Sequence, residues 1–334
     1  MFILQSYPLA VIFCVITMFC WGSWANTQKL ARKGWRFELF YWDYTIGVLL
    51  LAVILGLTLG SSGQDGRSFL ADLSQSSRSS MVSALIGGAV FNAANILLVA
   101  AIDIAGMSVA FPVGIGLALV LGVVVNYVAD PLGNAPLLFG GVLLVVLAII
   151  LDAIAYRKIP GSAAGVNTKG LVLSVACGIL MGFFYRFVAA SMYPDFTRPE
   201  AGKLGPYAAV FIFAVGIFLS NFILNTFVMK KPFVGQPVSF SDYFKGSFAT
   251  HLTGILGGII WGIGMSFNII ASGRAGFAIS YGLGQGATMI AAFWGVFIWK
   301  EFRDAPAGAS KLIAAMFGCF LIGLALIILA RISS

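Results

Sequence analysis

Ten long, nearly charge-free stretches divide this sequence, at 7–26, 41–60, 81–102, 107–128, 136–156, 170–192, 207–229, 251–272, 276–299 and 310–331. A helix rises 1.5 Å per residue, so about 20 apolar residues cross the ~30 Å hydrocarbon core of a bilayer. Each stretch therefore predicts a membrane-spanning helix. A β-barrel is excluded, because its strands alternate in polarity over about ten residues. The composition agrees: 60% of the chain is hydrophobic and 10% charged, where a soluble domain carries about 25% charge. A water-soluble enzyme, a disordered chain, collagen and a coiled coil all fail on those figures. The first stretch lacks the positive n-region of a signal peptide and nine more follow it, so it reads as an anchor.

The formal net charge is +8, yet no basic run exceeds two adjacent residues, which argues against nucleic acid as a partner. Lys and Arg instead collect between spans. Lys29, Arg32, Lys33 and Arg36 follow the first, and three more follow each of the fifth, seventh and ninth. Thirteen fall on that side and six on the other, with Arg186 inside a span. The positive-inside rule then predicts a multi-pass protein of the inner cell membrane with both termini extracytoplasmic. Cys14, Cys20, Cys177 and Cys319 lie within apolar runs at spacings that suggest neither a metal site nor disulfides. No cofactor and no metal is expected.

Displaced by 170 residues, the chain echoes itself without a gap. Gly87-Gly88 falls on Gly257-Gly258, Ala105-Gly106 on Ala275-Gly276, Gly114 on Gly284, Gly116 on Gly286 and Phe111 on Tyr281. The displacement equals five spans, an odd number, so the halves must run in opposite senses through the membrane. The expected architecture is an all-α integral membrane protein of two inverted five-helix repeats, 1–156 and 170–334, joined by a short cytoplasmic linker at 157–169. Such repeats place a substrate at their interface near the midplane. The glycines also have a packing role open to them, since small residues let helices approach in lipid. The run Gly282-Leu283-Gly284-Gln285-Gly286 goes further and leaves backbone and an amide open to a cavity.

Several motifs carry a family likeness. In the first half these are Trp21-Gly22-Ser23-Trp24, Arg32-Lys33-Gly34 and Tyr41-Trp42-Asp43-Tyr44-Thr45-Ile46, with Gly106-Met107-Ser108-Val109-Ala110 further on. In the second half they are Gly262-Ile263-Gly264, Phe267, Ala275-Gly276-Phe277-Ala278, Gln285, Phe293-Trp294-Gly295 and Glu301-Phe302-Arg303. Over nearly its whole length the chain resembles the ureide permease family of the drug/metabolite transporter superfamily. It is also similar to the neighbouring glucose/ribose and rhamnose porters. Plant ureide permeases carry a long central loop with a phosphate-loop-like sequence; here the run from Gly161 to Gly165 lacks the Gly-Lys-Ser/Thr ending. In this the chain resembles a compact, bacterial-type member of the family. The resemblance implies the drug/metabolite transporter fold and proton-coupled uptake of allantoin, uracil or similar ureides and nucleobases.

Ionisable side chains inside spans are functional candidates. Asp43 opens the second span within the most family-like motif. It is either a carboxylate stabilised by the helix dipole or a proton-coupling acid. Arg186 either snorkels to the interface or lines the cavity, where it would bind carbonyl oxygens. Asp152 lies close to Arg157 and suggests an ion pair, while the lone His251 suggests an interfacial histidine. For a neutral substrate the amides Asn92, Asn95, Asn268 and Gln285 can each donate and accept; some of them must serve neighbouring helices. Trp24, Phe111, Trp261, Tyr281 and Trp294 offer flat faces for stacking a planar ring.

These readings converge on a secondary transporter for a small polar metabolite, with the proton as coupling ion and the bilayer as the other partner. A ureide or nucleobase is favoured; a proton-coupled sugar porter or a drug/metabolite exporter is the alternative. An intramembrane enzyme would need paired acids, a His cluster or a nucleophile with its base, and a channel a charged ring or filter loop; neither pattern is present. The chain is expected to act as a monomer or homodimer.

Overall fold

The computed structural model describes residues 1–159 and 167–333; the Gly161–Gly165 run and most of the 157–169 linker lie outside the described residues. Among the described residues ten helices are long and apolar enough to cross a membrane: α1 (Tyr7–Leu30), α2 (Phe37–Leu57), α3 (Arg78–Ala105), α4 (Phe111–Ala129), α5 (Ala135–Tyr156), α6 (Thr168–Ser191), α7 (Pro206–Lys230), α8 (Phe248–Ala275), α9 (Phe277–Ile298) and α10 (Gly308–Ile332). Among the described residues every regular element is helical. Leucine, isoleucine, valine and phenylalanine remain exposed on the outward faces, Ile223 and Val128 among them. That is the surface a bilayer covers, since lipid tails are as apolar as these side chains.

Local chemistry sets the helix limits. Ser77 caps α3 by accepting the Ser80 N–H, and Ser247 caps α8 by accepting the Thr250 N–H. Both helices run 28 residues and end at a glycine, Gly106 with φ of 76° and Gly276 with φ of 85°. Only glycine adopts that backbone region without strain. The caps therefore repeat at the same displacement of 170 as the sequence echo.

Close packing repeats as well. A Cβ on Gly88 of α3 would press into Phe213 O of α7, and one on Gly258 of α8 would press into Tyr44 O of α2. α3 packs on α6 and α7, while α8 packs on α1 and α2; α4 meets α6, while α9 meets α1. The pairs α2 with α7, α4 with α9 and α5 with α10 complete the set. Replacing each helix by the one five places along the chain exchanges these contacts among themselves.

Both termini lie at one face, where the Tyr7 hydroxyl donates to Ile328 O at 2.7 Å. At this face the α2–α3 connection is hydrogen-bonded to the α6–α7 connection. A short helix, Phe69–Gln75, joins α2 to α3 and buries Asp72, which accepts from Gly205 N–H, Arg67 and Gln75. Gln75 also donates to Lys203 O and accepts from Gly202 N–H. Burial pushes the Asp72 carboxyl up from its ordinary range, and the Gly205 amide and Arg67 pull part of that shift back. At the opposite face Arg36 holds Glu38 and donates to Val234 O and Gln236 O. That clamp ties the α1–α2 connection to the α7–α8 connection.

Candidate functional site

Two helices break where the glycine-rich echo lies, and the breaks shape a hollow. α9 stops as an α-helix at Gly284 and restarts at Ala287, then widens into a π turn at Trp294–Ile298. Three glycines in five residues weaken the helix there, and Asn268 Nδ2 anchors the break by donating to Ser280 O at 2.7 Å. In α4 the corresponding region is a π turn at Phe111–Ile115, where Pro112 has no N–H to give the ladder. Broken helices inside a membrane bundle are tolerated where they border a cavity.

The hollow measures about 220 Å³ and is bounded by α1, α3, α4, α6, α8 and α9, with Phe37 from α2. Its walls include Trp21, Trp24, Phe91, Phe111, Phe184 and Trp261. Trp21 stacks on Trp261 at 5.9 Å, and Trp261 lies 4.4 Å from Phe91. The polar wall groups are Gln28, Asn95, Gln285 and Thr288, and no charged side chain is among the lining residues. Asn95 Nδ2 donates to the Tyr41 hydroxyl at 3.1 Å. The side-chain amides of Gln28 and Gln285 make no hydrogen bond to any described residue, so both stay free for a solute. Gln28, Phe37 and Val99 also line a second cavity of about 420 Å³. That vestibule lies at the opposite face and is walled by Trp35, Arg36, Glu38, Asp103 and Asn225.

Asp43 lies two turns inside α2 rather than at its start, because the helix begins at Phe37 with Glu38 in its first turn. It is 1% exposed. The Tyr243 hydroxyl donates to its Oδ1 at 2.6 Å, and His251 Nδ1 lies 2.9 Å from Oδ2. His251, expected as an interfacial histidine, thus has its hydrogen-bond partner in a buried carboxylate.

Of the residues singled out from the sequence, Trp24, Asn95, Phe111, Trp261 and Gln285 come together around the hollow. The others lie elsewhere. Asn92 bolts α3 to α7 through Ser220 Oγ and Ile217 O, and Asn268 holds the α9 break. The Tyr281 hydroxyl is buried between Ala118 O and Met181 O. Trp294 donates to Ser23 Oγ at 2.8 Å. Arg186 shares an outward stripe of α6 with the exposed Ile179 and Phe183 and is itself half-buried. Trp21, Gln28, Phe91, Phe184 and Thr288 line the hollow without having been singled out. The signal for Trp21 was available, since it opens the motif that Trp24 closes; Gln28 lies one helical turn beyond it.

At the opposite corner Asp152 is buried with Oδ1 unpartnered, and Tyr156 donates to Glu301 Oε2 at 2.8 Å.

Comparison with known proteins supplies the lineage. The sequence model for ureide permease matches residues 40–163 and 158–330. Ureide permease 1 of Arabidopsis thaliana is 23% identical, with 98% of each chain covered, and ureide permease 2 of the same plant is 23% identical over the same shares. Transmembrane protein 144 homolog B of Dictyostelium discoideum is 26% identical over 48% of this chain and 40% of its own. One solved crystal structure, 16% identical, superposes with a TM-score of 0.64 over 98% of this chain and 100% of its own, a likeness of fold. With both halves matched by the family model and ten membrane-length helices among the described residues, the chain belongs to the ureide permease family, whose members are membrane transporters of small polar metabolites and not enzymes.

Proposed function

We propose that this chain moves a small, neutral, planar ureide or nucleobase across the membrane by alternating access, driven by protons taken up at Asp43. One observation carries the reading: the hollow is walled by aromatic rings, holds two free side-chain amides and exposes no charged side chain. Ring faces stack on a flat solute, while amides donate and accept with the N–H and C=O edge of a ureide or base. A charged solute would enter such a space without a counter-ion, at a large desolvation penalty. The names of the Arabidopsis relatives support the same substrate class.

The halves 1–156 and 170–334 act as inverted repeats in this proposal. The matching caps of α3 and α8, and the exchange of contacts on moving five helices, support it. Rocking of one half against the other would then carry the hollow from one face to the other. The basic-rich face is cytoplasmic and both termini are extracytoplasmic, on the positive-inside rule. The vestibule then opens to the cytoplasm.

Purified protein in proteoliposomes tests this. Labelled allantoin, uracil, glucose, ribose and rhamnose are offered with and without an inward proton gradient. Acid-stimulated, saturable uptake of allantoin or uracil is expected, with counterflow separating a carrier from a channel. Sugar uptake with silence for both ureide and base refutes the substrate class; uptake indifferent to the gradient refutes the coupling.

A further inference from the structure

We infer that His251 is the proton-exchanging partner of Asp43, passing protons between the basic-rich face and the buried carboxylate. The inference rests on the proton-coupled reading above and adds the residue through which Asp43 reaches water. Asp43 has almost no exposed surface of its own. The His251 side chain retains 20% exposure and touches both carboxylate oxygens through Nδ1, at 2.9 and 3.1 Å. Its other ring nitrogen, Nε2, faces Gly246, where an added Cβ would sit 2.6 Å away. The absence of a side chain at 246 keeps that nitrogen approachable.

Every element around the ring contributes to the environment. α2 presents Asp43, and the α7–α8 connection presents Tyr243, whose ring lies 4.6 Å from the imidazole. The α1–α2 connection presents Trp35, edge-on at 5.5 Å. Ser247 and Thr250 of the same helix bond to each other. Asp242 and Lys245 pair at 3.2 Å on the exposed side. Burial holds the Tyr243 phenol well above its ordinary range, so it remains a donor to Asp43 throughout. Asp43 is thus the one carboxylate within hydrogen-bond reach of His251 among the described residues.

The step balances with these two groups alone. A proton from water joins Nε2 and forms the imidazolium. The Nδ1 proton then moves to Asp43 Oδ2, leaving a neutral imidazole protonated at Nε2 and a neutral carboxylic acid. Release runs the same course backwards. Two contacts connect this pair to the solute path. Trp35 walls the vestibule as well as touching His251. Tyr44, next to Asp43 in the chain, packs against Trp24 at 4.6 Å and stacks on Tyr41, which accepts the Asn95 bond.

The chain has one histidine, so full-length protein labelled with 15N-histidine in lipid nanodiscs gives a single imidazole to follow by NMR. The Asp43→Asn change should move the Nδ1 resonance, the nitrogen that faces the carboxylate, and change the ring's tautomer signature. An unchanged 15N spectrum overturns the pairing. In proteoliposomes with labelled allantoin and uracil, His251→Gln should reduce the acid stimulation of uptake to a ratio of one. His251→Asn, which can still donate to Asp43 but cannot titrate, should do the same, and residual saturable counterflow marks each variant as folded. Acid stimulation that survives in both variants while wild type is proton-driven overturns the relay and leaves the coupling reading standing, with buried Asp152 the next acid to test. Wild-type uptake that ignores the gradient overturns both, and the NMR shift is then that of a structural ion pair.

Discussion

Replacing Gly258 by alanine should destabilise the bundle by about 2 kcal/mol, the middle of the range for inserting a methyl group into a closely packed site. The new Cβ would press into Tyr44 O, stand 2.8 Å from Val48 N and come within 2.9 Å of Gly47 Cα. Carbon atoms in good contact are ~3.5–4.0 Å apart, so clearing Gly47 Cα alone needs α2 and α8 to part by roughly 0.6–1.1 Å, and clearing Tyr44 O needs more. The obstruction is backbone on the facing helix, which cannot rotate away as a side chain would. Gly88→Ala in α3 should behave alike, because its Cβ would stand 2.8 Å from Ile217 N and 3.0 Å from Gly216 Cα. Gly318→Ala is the control: nothing lies within 4 Å of its Cβ, and alanine in a helix gains about 0.5–1 kcal/mol over glycine. Reversible unfolding of the three variants in mixed detergent micelles reads the difference directly. A 2 kcal/mol loss is a roughly 30-fold change in the folded-to-unfolded ratio. Uptake should fall as well, because Trp261 follows Gly258 by three residues and moves with α8. Should Gly258→Ala and Gly318→Ala unfold within about 0.5 kcal/mol of each other, the close approach of α2 and α8 is refuted as the reason for glycine at 258.

Two further outcomes separate binding from architecture. Gln285→Ala should raise KM for the transported ureide or base about tenfold, the loss of one good hydrogen bond, with little change in unfolding; Asn92→Ala should leave KM alone and lower stability by about 0.6–1.5 kcal/mol, because its amide joins α3 to α7. Asp72 supplies a pH signature. Its folded-state carboxyl titrates above the unfolded value of 3.8, so the folded chain holds that proton more tightly, and stability from this group falls as pH rises upward from 3.8. Thermal unfolding across that window should show the slope in wild type and not in Asp72→Asn; equal slopes would remove Asp72 as its source.

How much of this was legible in the residues differs by level. The ten spans follow from length and apolarity, since a bilayer admits few structures that satisfy every backbone group internally. The limits shifted where local chemistry acted: α2 starts at Phe37 rather than 41 because Glu38 sits in its first turn, where the helix dipole and Arg36 both accommodate it. Helix rotation was much less legible. In a bundle apolar on both its lipid and its protein sides, hydropathy has little angular preference, so it does not say which face of α3 looks inward. Asn92 and Asn95 are one turn apart, yet the boundary between the α3–α7 seam and the hollow passes between them.

The sequence alone determined the class of molecule, the number of crossings and the 170-residue echo, because hydropathy and glycine spacing act along the chain. Tertiary structure alone decided which polar groups meet. His251 and Asp43 stand 208 residues apart in the chain, and the pairing of α2 with α8 brings them into contact. Gln28 and Gln285 reach one hollow because α1 and α9 border it together. In a membrane, where apolar burial between helices gives little net drive, close packing at small residues and hydrogen bonds between helices settle such meetings. Those forces depend on three-dimensional fit, which no pattern along one chain contains.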